Sequence, residues 1–171
     1  MGSQEVSVTT NFGLLIAYVL PGFTAMQGLP ILSGSQMVWA AATNEVSPTL
    51  PGLLSGTVQA IAVGLTVSTL RWLIIDTLHH RTGLRPPPWD FALLEKNVAA
   101  LQLLVHGHYR YYKFYANMVV ALVWAFISRG TEQGPRGLVY WLLAALLLFA
   151  SRDALGKYYE RAGRLLVAET G

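Results

Sequence analysis

From Leu50 to Ile75 the chain reads LPGLLSGTVQAIAVGLTVSTLRWLII, and Arg71 is the single charged side chain in the run. As one helix, a stretch of this length crosses about 30 Å of hydrocarbon. Gly52, Gly56, Ala60, Gly64 and Ser68 recur every four residues, so one helical face carries a ridge of small side chains. Such ridges let backbones approach closely and favour helix association in lipid. The ridge is expected to pack within one subunit or between subunits.

The rest of the chain has the same character. Of its 171 residues, 53% are hydrophobic and 12% are charged, and the mean hydropathy is +0.43. An ordinary soluble domain carries about 25% charged residues; here there is too little charge for a fully solvated surface. The absence of cysteine excludes disulfides, thiolate metal sites and cysteine nucleophiles.

Upstream, residues 11–32 form a first apolar stretch of spanning length, expected to cross from about residue 12 to 32. The competing reading, a signal peptide, lacks a basic leading region, because Glu5 is the only charged side chain before it. Val6 stands where a myristoylation signal needs Ser or Thr. Pro21-Gly22 interrupts the stretch. Proline removes a backbone donor and bends a helix, and in lipid the freed carbonyl must find a partner in neighbouring protein. This helix is therefore expected to be bent and packed against others. Between residues 33 and 49 there is no Lys or Arg, and Trp39 reads as an interfacial anchor.

Downstream, Thr82-Gly83 reads as a turn, and Pro86, Pro87 and Pro88 follow it. Asp90 can cap a helix starting at Phe91. A proline-free helical pattern then runs to about Ser128, with Gly107 as its weak point. Such a helix is roughly 55 Å long, and only residues 114–128 are apolar all round, so its first half is expected to project from the membrane. A Gly/Pro-containing loop, 129–137, leads to a fourth apolar run, 138–151. An amphipathic tail continues to about Ala168, with Leu155, Tyr158, Ala162, Leu165 and Leu166 on one face and Arg152, Lys157, Arg161 and Arg164 mostly on the other. The tail can pair with the projecting half of the third helix or lie flat on the membrane.

The expected fold is all-α: one polytopic membrane domain over residues 1–171, with four transmembrane helices (12–32, 50–75, 114–128 and 138–151). Helices 3 and 4 extend into a small cytoplasmic helical layer built from segments 76–113 and 152–171. Arg71, Arg81, Arg85, Lys96, Arg110 and Lys113 lie on one side of this arrangement with the four cations of the tail, whereas the other side holds only Arg129 and Arg136. The positive-inside rule places the basic side and both termini in the cytoplasm. The small size and basic layer resemble small bacterial membrane proteins, so the expected location is a bacterial inner membrane, crossed several times.

Two groups of residues invite chemistry. Asp76, His79 and His80 lie close together and could serve an enzyme working near the headgroups, but no HExxH or comparable motif accompanies them. His106 and His108 stand about 200° apart on a helix and cannot easily share an ion, so no metal and no cofactor is expected. The second group is the stripe Gln102, His106, Arg110, Lys113 and Asn117, spaced three and four apart. A polar face that enters an apolar span must line protein or water, although Tyr, Arg and Lys at a membrane interface are also ordinary anchors. No phosphate loop or GxSxG elbow is present, and the aromatic-basic run near Tyr109 has a simpler explanation at an interface than nucleic acid. The leading expectation is a homo-oligomer in the lipid bilayer that forms a channel, pore or membrane-perturbing effector, gated through its basic layer. The alternatives are the Asp76/His79/His80 enzyme and a non-catalytic adaptor for a cytoplasmic protein partner.

Overall fold

The computed structural model describes residues 15–28, 50–128 and 135–166. The regular structure among them is entirely helical and forms four continuous helices. Helix α1 covers residues 15–26, a π-type turn Leu15–Val19 running into Leu20–Met26. Helix α2 covers 50–81: Leu50–Arg71, a π-type turn Trp72–Asp76, and Thr77–Arg81. Helix α3 covers 91–128, from a 3-10 turn Phe91–Leu93 through Leu94–Leu104 and a π-type turn Val105–Tyr109 to Arg110–Ser128. Helix α4 is Pro135–Leu166 without a break.

Two of these helices are long and apolar enough to cross a membrane, over Leu54–Arg81 and Gly137–Leu166. The apolar part of α1, Ile16–Met26, is shorter. Two of the four expected spans thus meet the length and apolarity of a crossing. The expected Trp39 anchor, residues 129–134 of the expected 129–137 loop and the chain beyond Leu166 lie outside the described residues, and α4 already starts at Pro135, inside that loop.

The helix ends follow from local chemistry. α2 runs past Ile75 and stops where expected, at Thr82-Gly83. The amide of Leu84 donates to His79 O at 3.1 Å, and that of Gly83 to His80 O at 3.3 Å. This pair of bonds closes a helix when the following residue is left-handed, and Gly83, at φ +96°, takes that conformation at no steric cost. α3 begins at Asp90 as its capping chemistry implies, with Ala92 N donating to Asp90 Oδ1 at 2.9 Å. Carbonyls in the last described turn of α4 accept from donors outside their own helix. The start of α3 supplies two: Asn97 Nδ2 donates to Leu165 O at 3.1 Å and Asp90 N to Leu166 O at 2.8 Å.

The α4 tail therefore packs along the first half of α3. Tyr112, Ala116, Val119 and Leu122 of α3 bury against Leu147, Leu155 and Tyr158 of α4, with Ile75 of α2 beside them. α1 lies between α2 and α3, where Ala25, Val67 and Ala121 meet.

Candidate functional site

The crossing of α1 over α2 is a backbone-to-backbone contact. A β-carbon on Gly22 would stand 1.8 Å from Ala60 O, and one on Gly64 would stand 2.1 Å from Tyr18 O. Ala60 is fully buried and Gly56 is buried, Ser68 is half-buried, and the surroundings of Gly52 lie outside the described residues. At Ala60 and Gly64, the small-residue ridge packs inside the subunit.

Proline 21 sits in this crossing. It has no N–H to give to the carbonyl four residues earlier, which is that of Ala17. Asn117 of α3 supplies the missing donor, its Nδ2 reaching Ala17 O at 2.7 Å from a fully buried position. The partner that the proline demands is thus a side chain two helices further along the chain. Alanine at Asn117 is expected to leave the Ala17 carbonyl unpaired in an apolar interior, at a cost of about 1–3 kcal/mol. A fall in the denaturation midpoint of the detergent-solubilised protein measures it; an unchanged midpoint removes Asn117 from the frame of the bundle.

At the other end of α2, polar side chains tie three helices together. Arg71 Nη1 lies 3.2 Å from Asp76 Oδ1, and both side chains are largely buried. Five residues separate the pair, a spacing adjacent in a π-turn and not in an α-helix. The hydroxyl of Tyr112 in α3 donates to the same Asp76 oxygen, and the Arg71 guanidinium stands 5.3 Å from the Tyr112 ring centre. Next to them, buried His79 meets Ser151 Oγ of α4 through Nε2 at 3.0 Å. Ser151 gives its one proton to Leu148 O, 2.8 Å away, so His79 is the donor and its Nε2 carries the hydrogen. His80, exposed, meets Tyr159 Oη at 3.3 Å. Arg152 of α4 caps the end of α2, its Nη2 donating to Thr82 O at 2.9 Å.

The residues offered for catalysis are therefore each held by a separate partner: Asp76 by Arg71 and Tyr112, His79 by Ser151, His80 by Tyr159. Among the described residues no three His, Asp or Glu side chains converge as metal ligands. The cluster joins α2, α3 and α4 and fixes their relative rotation.

The stripe on α3 meets different surroundings along its length. Gln102 is exposed on the first half of α3, and Asn117 is fully buried in the bundle. Arg110 lies 6.0 Å from the Tyr111 ring centre and Lys113 Nζ 4.7 Å from that of Tyr109; the side chain of His106 lies outside the described residues. α1 covers α3 at Asn117, whose amide bonds Ala17 O.

A different polar face emerges on α2, one that the small-residue ridge overshadows in the sequence. Opposite the packed side, Ser55, Ala62, Thr66 and Thr69 are exposed and Gln59 is half-buried. Their spacing of four, three, four and three keeps them on one helical stripe. Thr66 and Thr69 turn their hydroxyls to the carbonyls of Ala62 and Leu65, at 3.1 and 3.2 Å, and Gln59 Nε2 reaches Ser55 Oγ at 3.2 Å. The outer face of α4 exposes Leu142, Leu146 and Phe149, between 61% and 72%, and α2 exposes Val58 and Leu65 beside its stripe, at 66% and 53%. Set beside known proteins, the chain matches no protein-family model, no curated protein and no solved structure.

Proposed function

We propose that the chain is a multi-pass membrane protein that assembles with copies of itself, with the outward polar face of α2 lining a water-filled pore or channel. The observation that carries this reading is the stripe Ser55, Gln59, Ala62, Thr66 and Thr69 on the side of α2 turned away from its own bundle. A polar side chain at membrane depth turns toward protein or water. An amide left facing lipid without partners costs about 2–7 kcal/mol, and the Ser55 contact engages only one of the donors of Gln59. Copies placed around this stripe would remove it from lipid, while the aliphatic outer face of α4 meets the acyl chains.

Four crossings fit this reading, since α1 is packed between α2 and α3 at the depth of the apolar part of α2. The basic end of the bundle then faces the cytoplasm, with both termini, by the positive-inside rule. A bacterial inner membrane is the proposed location. The cluster around Arg71 and Asp76 joins the pore helix to the cytoplasmic layer, so a rotation of that layer would reach α2 directly.

The chain has no cysteine, so single thiols report without background. A Thr66→Cys protein in native membranes is expected to react with a charged, water-soluble methanethiosulfonate at least about tenfold faster than Leu146→Cys, whose position faces lipid. Equal and slow labelling at both positions would place Thr66 in a dry environment and remove the lumen.

A further inference from the structure

The structure assigns a second binding site, for a partner outside the bilayer: we infer that the open groove between α3 and the α4 tail docks an amphipathic helix bearing acidic residues, carried by a soluble protein. This goes beyond the pore reading and does not depend on it.

The groove has a volume of about 670 Å³. Leu103, Leu104 and Gly107 of α3 and Leu165 of α4 supply its apolar lining, and His108, Arg161 and Arg164 supply a basic rim. On α3 the lining runs from Ala100 to His108 along the helix axis, which is about 12 Å at 1.5 Å per residue. A channel between two adjacent helices, two turns long and floored by aliphatic side chains, is the seat that a third helix fills. Leu103 is 77% exposed beside it, and a β-carbon on Gly107 would meet nothing within 4 Å. The wall is therefore open.

The rim selects the sign of the partner. Lys157 pairs with Asp153 at 2.7 Å and Arg164 with Glu160 at 2.5 Å. Arg161 has no carboxylate among the described residues; its Nη1 is 2.5 Å from His108 Nε2. A guanidinium only donates, so His108 is the acceptor and carries its hydrogen on Nδ1. Burial, and then the charge of Arg161, hold that imidazole below the ordinary histidine value, which keeps it neutral and leaves Arg161 as the charge to be met.

A lipid phosphate shares the charge of a carboxylate, and anionic vesicles separate the two in the test. A nucleotide would find no aromatic ring in the lining on which to stack.

The test uses the full-length protein in nanodiscs of zwitterionic lipid. The probe is a labelled helical peptide of about four turns, with Leu along one face and Glu beside it; its twin carries Lys for Glu. Saturable binding of the Glu peptide is expected, at least about tenfold tighter than that of the Lys peptide. Gly107→Trp, which fills the groove, and Arg161→Glu are each expected to weaken it about tenfold or more, and Arg161→Glu is expected to strengthen binding of the Lys peptide. Circular dichroism melting checks that both variants fold. Equal binding of the two peptides, unchanged binding in both variants, or tighter binding of ATP or of phosphatidylglycerol vesicles than of the Glu peptide would overturn the site.

Discussion

Alanine at Gly22 or Gly64 is expected to part α1 from α2 and to cost about 3 kcal/mol, the upper end of what an inserted methyl group does in a packed interior. The reason lies in what the new β-carbon meets. At Gly64 its neighbours are Tyr18 O at 2.1 Å and Tyr18 C at 2.9 Å; at Gly22 they are Ala60 O at 1.8 Å and Ala60 C at 2.7 Å. All are backbone atoms, so no side chain can swing aside and a helix must move. Moving α1 away also lengthens the Asn117–Ala17 bond, the contact that satisfies the carbonyl left by Pro21. Gly156→Ala is the matched control. Its β-carbon would stand 3.5 Å from a flexible Leu84 methyl, an ordinary contact. There the helix propensity of alanine should stabilise by about 0.8–1 kcal/mol. Chemical denaturation of the three variants in one detergent reads the opposite signs. Equal small losses at all three positions would mean that the close crossing is absent.

Alanine at Asp76 is expected to be as damaging for a different reason. It strands the Arg71 guanidinium, which is 6% exposed, without a counter-charge. Removing one partner of a buried pair costs about 3–5 kcal/mol. It also takes the acceptor from the Tyr112 hydroxyl. The pair itself is a different matter, because replacing both members with apolar side chains of similar volume is often neutral or stabilising. Arg71→Met combined with Asp76→Leu should therefore recover most of the stability lost in Asp76→Ala. Denaturation midpoints of the single and double variants decide this. A double variant as unstable as Asp76→Ala would show that Arg71 or Asp76 is needed for something other than the other's charge.

Much of this fold is legible in residues with strong local rules. Thr82-Gly83 ends α2 and Asp90 opens α3, because a left-handed glycine and an aspartate cap act within a few residues. Pro21 announces that some neighbour must serve Ala17, but no local pattern points to a residue 100 positions away. The π-type turn in α2 is the second limit. Arg71 and Asp76 form a pair at a spacing that α-helical counting passes over. The outward stripe of α2 was hidden for a simpler reason. Ser and Thr are common in apolar helices, and Ser55, Gln59, Thr66 and Thr69 become informative only once Gly64 and Ala60 are known to face inward.

The self-assembly through α2 is tested most directly by the mass of the intact complex, measured by native mass spectrometry from nanodiscs. Full-length protein is expected to leave as a closed ring of several copies. Replacing Gln59, Thr66 and Thr69 together with Leu should lower that mass to the monomer, because an aliphatic face no longer needs to be shielded from lipid. A wild-type protein that leaves as a monomer would contradict the assembly, and with it the pore.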